Sequence, residues 1–173
     1  DGNTFVFGVK PDNENLTSKE TLPARMQHLA FASDDPERLL QFYTNTLGFL
    51  LADRVEDETG NLSASFFNSD MEHHSLAVFK AGEKRLDHQC FEAGDWNLIR
   101  DWADHMAHYD IPIQWGPGRH GPGNNLFFMI RDPEGNWLEL SAELEEISLD
   151  RPVGIWEDNQ KTLNSWGQAL FRG

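Results

Sequence analysis

The chain has 173 residues, and its composition is that of an acidic protein with a substantial apolar fraction. Lysine and arginine number 14 against 29 aspartates and glutamates. The resulting net charge of −15 argues against nucleic-acid and anionic-membrane partners, since both require basic patches. Hydrophobic residues at 39% and aromatic residues at 12% exclude a disordered chain, and the length predicts one domain or two very small ones. Because Cys90 is the only cysteine, an intrachain disulfide and a cysteine-based zinc cluster are excluded.

The sequence also lacks the patterns of a membrane span and of a signal peptide. No apolar run approaches the roughly 18 residues that cross a bilayer, and none resembles a signal-peptide core. Together with the single cysteine, this predicts a cytoplasmic protein without a membrane partner. Because the chain begins at Asp1 rather than methionine, we expect that residues upstream were removed or are not included. The seven histidines are many for this length and need an explanation.

The first half of the chain predicts one strand, one helix and three further strands. A polar N-terminal arm over residues 1–24 precedes a short strand at 26–31. Ser33-Asp34-Asp35-Pro36-Glu37 has the capping side chain, early proline and early acid of a helix start. The helical period continues through Leu39, Leu40, Phe42, Tyr43 and Leu47, and Gly48 ends it. Three strands are predicted at 49–56, 62–67 and 75–80.

The second half repeats this order. A strand at 86–91 is followed by a helix that opens at Gly94-Asp95. The apolar face of this helix comprises Trp96, Ile99, Trp102, Ala103 and Met106. Three strands are predicted at 111–115, 126–130 and 137–142. A C-terminal extension over 143–173 lies outside the repeat, and 160–171 predicts an amphipathic helix with Leu163, Trp166 and Leu170 on one side.

The repeat predicts an α+β fold made of two βαβββ modules. His28 and His88 are 60 residues apart, each in the first strand of its half. Two copies are too few for a solenoid, so we expect modules at about 25–82 and 83–142 that form one metal-binding domain over 25–142. Their mostly antiparallel sheets are expected to close on each other as a half-barrel around a shared cavity.

Two histidines and one acid in this pattern indicate a metal centre. An isolated strand histidine is more often a packed core residue, but His28 and His88 occupy matching positions. Glu139 alternates with apolar neighbours, so it faces either solvent or the cavity. In the cavity, a buried carboxylate would need a cation. Two imidazoles and one carboxylate are typical of non-haem Fe(II), although Zn²⁺ accepts the same set, so ligand type alone leaves the ion open.

The remaining histidines divide by position. His105 and His108 lie towards the end of the second predicted helix, where we expect them at the surface beside the helix dipole. His73 and His74 are adjacent before a strand, so at most one of them enters a shared cavity. His120 lies in a loop dense in glycine and proline, which either permits close approach of a ligand or only connects two strands.

These residues also carry a family resemblance, over about Leu22 to Ala142. Its most specific segment runs from Gly118-Arg119-His120 through Phe128 to Asp132-Pro133-Glu134-Gly135-Asn136-Trp137-Leu138-Glu139. His73-His74-Ser75-Leu76-Ala77 and Leu86-Asp87-His88 match further segments. The chain resembles the vicinal oxygen chelate superfamily, and within it the type I extradiol ring-cleaving dioxygenases. The match is to the catalytic half of dihydroxybiphenyl dioxygenases or to a one-domain relative.

The resemblance implies an Fe(II)-dependent extradiol dioxygenase of aromatic hydrocarbon catabolism, with Mn(II) as the alternative ion. Its substrates would be a catechol and O₂, and its product a hydroxymuconic-semialdehyde-type compound. It implies metal ligation by His28, His88 and Glu139. It further implies that His74 is the acid–base residue beside O₂ and that His120 contacts the substrate oxygens.

One position departs from the family pattern. Met129 stands where the family usually has a substrate-facing tyrosine, whose hydroxyl hydrogen-bonds a substrate oxygen. Its absence either costs about 1–3 kcal/mol of binding or marks a different substrate. We expect Met129 and Phe128 to contact the substrate. Gly121-Pro122-Gly123 also differs from the polar residues usual after the family histidine.

The same fold also supports other functions. Glyoxalase-like isomerases, epimerases and thiol transferases typically use four ligands with an acid from each half, whereas residues 77–79 offer no acid in the first half. A metal-free binding protein would not need the histidine–histidine–glutamate set. We also expect a homo-oligomer, because one-domain relatives often associate and exposed sheet edges favour pairing.

Overall fold

The computed structural model describes residues 1–4 and 21–170, which form one nine-stranded sheet with two helices packed against it. The strands are β1 (Arg25–Ser33), β2 (Leu50–Glu56), β3 (Leu62–Asn68), β4 (Leu76–Lys80), β5 (Arg85–Gly94), β6 (Trp115–Arg119), β7 (Leu126–Arg131), β8 (Trp137–Ala142) and β9 (Gly154–Glu157). The helices are α1 (Pro36–Gln41), α2 (Trp96–His108) and α3 (Gln160–Leu163), and a π-helical turn at Phe42–Thr46 follows α1. Most of the predicted N-terminal arm, residues 5–20, lies outside the described residues.

The strand order reproduces the sequence repeat. It reads β6-β7-β8-β5-β1-β4-β3-β2-β9, so each half extends outward from its own first strand. β1 pairs in parallel with β4, β5 pairs in parallel with β8, and the two first strands pair antiparallel at the centre. The predicted α+β fold is confirmed. The predicted closure is wrong for the described residues, because the sheet curls but stays open, with β6 and β9 as its edges.

The first helix is shorter than predicted. Asp35 caps α1 by accepting a hydrogen bond from the Arg38 N–H, as the sequence indicates. After Gln41 the chain widens into the π-helical turn, in which the Leu47 N–H donates to the Phe42 carbonyl. The extra residue in this turn rotates Tyr43 into the core and leaves Phe42 exposed. Phe42 therefore does not belong to the buried face on which the sequence pattern placed it.

The second helix follows the prediction closely. The Asp95 side chain accepts a hydrogen bond from the Leu98 N–H and so begins α2. Ile99 and Met106 are buried against β7 and β8. His105 and His108 are exposed near the end of the helix, as expected. None of the helices in the described part of the chain has the length and apolar character that crossing a membrane requires.

The strand predicted at 111–115 is displaced. The observed β6 begins at Trp115 and continues through Gly116 and Pro117. Residues 111–114 join no ladder, and Pro112 has no N–H with which to join one. At Gly116 a β-carbon would lie 2.9 Å from the Phe127 carbonyl oxygen, so only glycine lets this strand approach β7.

The C-terminal extension also differs from prediction. The helix expected over 160–171 is limited to α3, and residues 171–173 lie outside the described residues. Asn164 ends the helix because its backbone is extended and its side chain accepts a hydrogen bond from the Trp166 N–H. A four-residue edge strand that was not predicted, β9, pairs in parallel with β2.

A buried aspartate attaches this extension to the sheet. Asp53 on β2 is fully buried and accepts hydrogen bonds from Arg151 Nη1 at 2.8 Å and from Trp156 Nε1 at 2.6 Å. Burial alone raises the pKa of Asp53, but contacts with His73, Arg151 and Trp156 hold it below its usual value of 3.8. A β-carbon at Gly154 would meet the carboxylate, so glycine is required where β9 passes over it.

Replacing Arg151 by methionine is expected to lower the free energy of unfolding by about 1–3 kcal/mol at pH 7, because Asp53 loses a charge-assisted hydrogen bond. The pKa of Asp53 is lowered in the folded chain, so its stabilising contribution is present above its usual value of 3.8 and is lost as pH falls through the folded-state pKa. The difference from the wild type should therefore shrink on acidification. Urea titrations at pH 7 and pH 3 measure it, with Arg100→Met on exposed α2 as the control. An equal difference at both pH values would contradict the prediction.

Candidate metal centre

A cavity of about 270 Å³ lies on the concave face of the sheet and is lined from both repeats. Strand alternation separates this face from the helix-covered core. On β8, Leu140 packs into the core beneath α2, and Glu139 faces the cavity. This settles the orientation that the sequence left open. His28 and His88 line the same cavity from the two central strands.

Three ligand atoms converge in the cavity. The Nε2 atoms of His28 and His88 are 3.0 Å apart. Oε2 of Glu139 lies 3.9 Å from the His28 Nε2 and 3.2 Å from the His88 Nε2. A triangle with these sides has a point about 2.0 Å from all three atoms. Zn²⁺, as a reference ion, bonds imidazole nitrogen and carboxylate oxygen at about 2.0–2.2 Å, so the triangle has the size of a metal-ligand set.

A bulge in β1 orients the first histidine. The β1–β5 register shifts between Met26 and His28, which leaves Gln27 as the extra residue. The Gln27 Oε1 lies 2.5 Å from Nδ1 of His28 and accepts its hydrogen bond. The Gln27 amide nitrogen donates to the His74 carbonyl at 2.6 Å, which fixes the amide orientation. Nδ1 of His28 therefore carries the proton, and Nε2 presents a lone pair to the cavity.

A similar bulge in β5 orients the second histidine, His88. A second register shift in the β1–β5 ladder leaves Asp87 as the extra residue, directly before His88. Oδ2 of Asp87 accepts a hydrogen bond from Nδ1 of His88 at 2.7 Å. A carboxylate or carbonyl behind a ligating imidazole is the usual way that proteins fix its tautomer. The bulged residue before each histidine thus turns both Nε2 atoms to the same point.

The converging groups are suited to a cation. All three side chains are buried. Burial lowers the pKa of His88, but hydrogen bonds with Asp87 and Glu139 raise it above its usual value, so a positive charge is favoured where the three atoms meet. Burial lowers the pKa of His28 to about 3, so this ring is neutral. Burial raises the pKa of Glu139, but contacts with His120 and His88 hold it well below its usual range, so it stays ionised. A divalent ion at their centre would satisfy all three atoms.

Cys90 is a second candidate for the third ligand position, since its thiol lies near His28 and Glu139. It is fully buried and does not line the cavity. Burial and the charge of Glu139 raise the pKa of the Cys90 thiol well above its usual value. Because the thiolate is the ligating form, His88 is the better third ligand.

Glu139 is held from its other side. Nδ2 of Asn125 donates to Oε1 of Glu139 at 3.2 Å and to Ser141 Oγ at 3.1 Å. Nε2 of His120 lies 3.7 Å from the same Oε1. The carboxylate thus keeps Oε2 for the two ligating histidines.

His74 enters the cavity and His73 does not, in agreement with the expectation that at most one of the pair would. The His74 ring lies 4.5 Å from the His28 ring and 5.1 Å from the Phe66 ring, measured between centroids. Burial lowers the pKa of His74 well below its usual value, so it is neutral and available to accept a proton.

His120 is fixed by the C-terminal extension. Its Nδ1 donates to the Leu163 carbonyl at 2.5 Å, and its ring stacks on Phe127 with centroids 3.8 Å apart. Since Nδ1 donates to this carbonyl, Nε2 is the ring nitrogen that faces Glu139 and the cavity. The loop around His120 therefore does more than connect strands.

Met129 and Phe128 point to opposite sides of β7. Met129 lines the cavity, whereas Phe128 is fully buried in the core beneath α2. The expectation that Phe128 contacts the substrate is corrected, because adjacent strand residues alternate between faces. Phe127, on the same face as Met129, instead supports the His120 ring.

The structure brings His28, His88, Glu139, His74 and His120 together. The groups that orient them were not predicted from the sequence; they are Gln27, Asp87, Asn125 and the Leu163 carbonyl. The signal for two of these was available, because a polar residue directly precedes each of the two strand histidines. Nothing in the local sequence marks Asn125 or Leu163, which reach the site only through folding.

The fold and this centre place the chain in a known class. Residues 25–140 match the family model of the Glyoxalase/Bleomycin resistance protein/Dioxygenase superfamily. The matched segment contains both repeats and all three converging side chains. The chain belongs to this superfamily.

Comparison with individual proteins identifies more specific relatives within the superfamily. The chain is 32% identical to metapyrocatechase 2 of Cupriavidus necator over 151 residues, which covers 86% of this chain and 46% of that protein. It is 27% identical to the manganese-dependent 2,3-dihydroxybiphenyl 1,2-dioxygenase of Geobacillus genomosp. 3, over 68% of this chain and 39% of the relative. Homoprotocatechuate 2,3-dioxygenase of Brevibacterium fuscum, solved with 3,4-dihydroxyphenylacetate, superposes with a TM-score of 0.77 at 25% identity, over 84% of this chain and 47% of that chain. The chain spans about half the length of the curated relatives that it matches.

Proposed function

We propose that the chain is an extradiol dioxygenase that cleaves a catechol-type ring with O₂ to a hydroxymuconic-semialdehyde-type product. The observation that carries this is the triangle of His28, His88 and Glu139 with His74 and His120 on the same cavity. Two imidazoles and one carboxylate leave coordination positions open for substrate oxygens and O₂. Relatives named as catechol and dihydroxybiphenyl dioxygenases support the same reaction class.

His28, His88 and Glu139 would hold the ion, Fe(II) in our proposal, with Mn(II) as the second choice because a relative is named manganese-dependent. A bound ion would supply Lewis acidity that lowers the pKa of the catechol hydroxyls, and one-electron chemistry with O₂. Hydrogen bonds from both ligand imidazoles to Gln27 and Asp87 would keep the ligand atoms aligned during turnover.

His74 and His120 would handle protons and orient the substrate. His74 is neutral, so it would accept a proton within the cavity and return it to the ring-opened product. His120 presents its Nε2 to the cavity, where it would form a hydrogen bond with a substrate oxygen. The two rings share the cavity with the Glu139 carboxylate.

The cavity favours an apolar catechol. Phe66, Phe79, Trp115 and Leu163 line it together with Met129. Met129 supplies no hydroxyl where the family usually has tyrosine, so the substrate oxygens would depend on the two histidines. We therefore propose a catechol with a hydrophobic substituent over one with a carboxylate.

Oxygen uptake tests the proposed activity. The protein is loaded anaerobically with Fe(II) or, separately, Mn(II), and is then mixed with air-saturated catechol, 3-methylcatechol or 2,3-dihydroxybiphenyl. We expect one O₂ consumed per catechol and a yellow product. Zn²⁺-loaded protein is the control, because it fills the same ligands without one-electron chemistry. Tight binding of one iron with no uptake for any catechol would overturn the proposal.

Replacing Asp87 by alanine is expected to weaken Fe(II) binding about 10–100-fold, because the His88 ring loses the acceptor that fixes its tautomer. Gln27→Ala should have an effect of the same kind on the His28 side. Competition with a calibrated chelator measures both affinities. Asp104→Ala, in an exposed position on α2, is the matched control. Unchanged affinity in both ligand-partner variants would show that the bulges do not orient the ligands.

A glyoxalase-like isomerase is less well supported. Glu139 pairs with Cys90 across β8 and β5, and the equivalent pair in the first repeat is Ala77 with Ala30. An alanine thus occupies the place where a second acid would complete a four-ligand set. Association between chains, which the sequence predicts, stays a prediction.

A further inference from the structure

Two buried side chains, His73 and Asp53, lie behind His74 on the side away from the cavity. Nδ1 of His74 lies 3.0 Å from Nδ1 of His73. Nε2 of His73 lies 3.1 Å from Oδ2 of Asp53, in a contact bent away from the N–H axis. His73 and Asp53 are both fully buried, and neither lines the cavity. Through His74, they can act on the cavity from outside it.

The chemistry of these groups sets the direction of the hydrogen bonds. The Asp53 carboxylate offers only acceptors, so the His73 nitrogen that faces it, Nε2, carries the proton. In a neutral His73, Nδ1 is then bare and accepts from His74. Nδ1 of His74 must carry the donated proton, which leaves Nε2 of His74 unprotonated.

We propose that Asp53 and His73 are positioning residues that hold His74 in the Nδ1–H tautomer, so that its Nε2 lone pair faces the cavity. The inference rests on the proposed function only for what that lone pair does, which is to accept a proton from substrate. The tautomer itself is a property of the folded chain.

The residues packed around Asp53, His73 and His74 hold these three side chains in place. A β-carbon at Gly123 would lie 3.1 Å from Nδ1 of His73 and 3.3 Å from Cε1 of His74, so the loop closes tightly over the imidazole pair. Arg151 and Trp156 hold the Asp53 carboxylate from the other side. The glycine at 123, which departs from the family pattern, thus has a steric role beside this pair.

Long-range ¹H–¹⁵N NMR of the full chain tests the proposal directly, because it distinguishes protonated from bare ring nitrogens. Spectra are recorded without metal and with Zn²⁺, and His74→Gln and His73→Leu identify the two rings by the signals that disappear. We expect a bare Nε2 on His74 and a bare Nδ1 on His73 in both states. A protonated Nε2 on His74 in the wild type, as a doubly protonated His73 would produce, overturns the proposal.

Asp53→Ala gives a second test. Alanine offers no acceptor, so nothing would hold the His73 proton on Nε2, and His74 would lose its preference for the Nδ1–H tautomer. We expect this loss together with a fall in kcat of about ten- to a hundredfold and a change in KM below about threefold. Trp156→Phe is the matched control, since it removes one donor to Asp53 and keeps the carboxylate; its His74 tautomer should match the wild type.

The outcomes separate this inference from the proposed function. Expected tautomers in a protein that takes up no O₂ would support the positioning role and overturn the dioxygenase. If Asp53→Ala folds but keeps the wild-type His74 tautomer, the positioning role is overturned, whatever the activity. If Asp53→Ala does not fold, the wild-type spectrum and His73→Leu decide, because His74 should lose its Nδ1–H preference once its acceptor is gone.

Discussion

Replacing Glu139 by glutamine is expected to weaken Fe(II) binding more than about a hundredfold, beyond the 10–100-fold typical of groups that only orient ligands. The neutral amide removes the one negative charge among the three converging atoms. The folded chain should tolerate the change, because the amide can donate to Nε2 of His88, which lies 3.2 Å from Oε2 of Glu139. O₂ uptake with catechols should fall with the metal content.

Thermal unfolding with and without metal tests this prediction quantitatively. A ligand that binds only the folded state stabilises it by about 2.7 kcal/mol at a hundredfold excess over Kd. Wild type should gain this stabilisation with Fe(II), and Glu139→Gln should not, while the metal-free transitions stay close. Glu134→Gln in the exposed turn before β8 is the control and should behave as wild type. Wild-type metal affinity in Glu139→Gln would remove Glu139 from the ligand set.

Replacing His74 by alanine is expected to leave Fe(II) affinity within about threefold and to reduce kcat about 10²–10⁴-fold, the usual effect of losing a general acid–base group. His74 lies beside the His28 ring but contributes no atom to the ligand triangle. Glutamine at the same position keeps most of the side-chain volume and serves as a second variant. Stopped-flow measurement of product formation, with metal content determined for each sample, gives both quantities.

His105→Ala on the exposed face of α2 is the control for this comparison. It removes a histidine of the same chain without touching the cavity. Unchanged turnover in His74→Ala would show that His74 takes no part in the reaction. Loss of bound iron in this variant would show instead that His74 binds the metal or supports a residue that does.

The local sequence predicted the repeat and singled out the histidines that line the cavity. Strand and helix signals depend on short segments of sequence. One of them, the Asp95 cap, begins α2 as predicted. The equal spacing of His28 and His88 placed both on the central strands. The same reasoning failed at Phe42 and at β6, where one extra residue in a turn, or a strand built from glycine and proline, changes which side chains are buried.

The orienting groups could not be predicted in the same way. Gln27 and Asp87 act because each lies at a bulge, and a bulge is a property of two paired strands rather than of one. His120 acquires its tautomer from the Leu163 carbonyl, 43 residues away in sequence. No local pattern encodes such a contact, because it depends on how the extension returns to the sheet.

By itself, the sequence determined the acidic composition and predicted the two βαβββ repeats, since these follow from residue type and spacing, and it singled out two histidines and one glutamate as candidate metal ligands. Only the tertiary structure decided that Glu139 faces the cavity, that the sheet stays open, and that Asp53 lies behind His73. The physical reason is that ligand geometry and proton position depend on distances near 3 Å between side chains from different strands. Such distances are fixed by packing and register, which the linear sequence does not display.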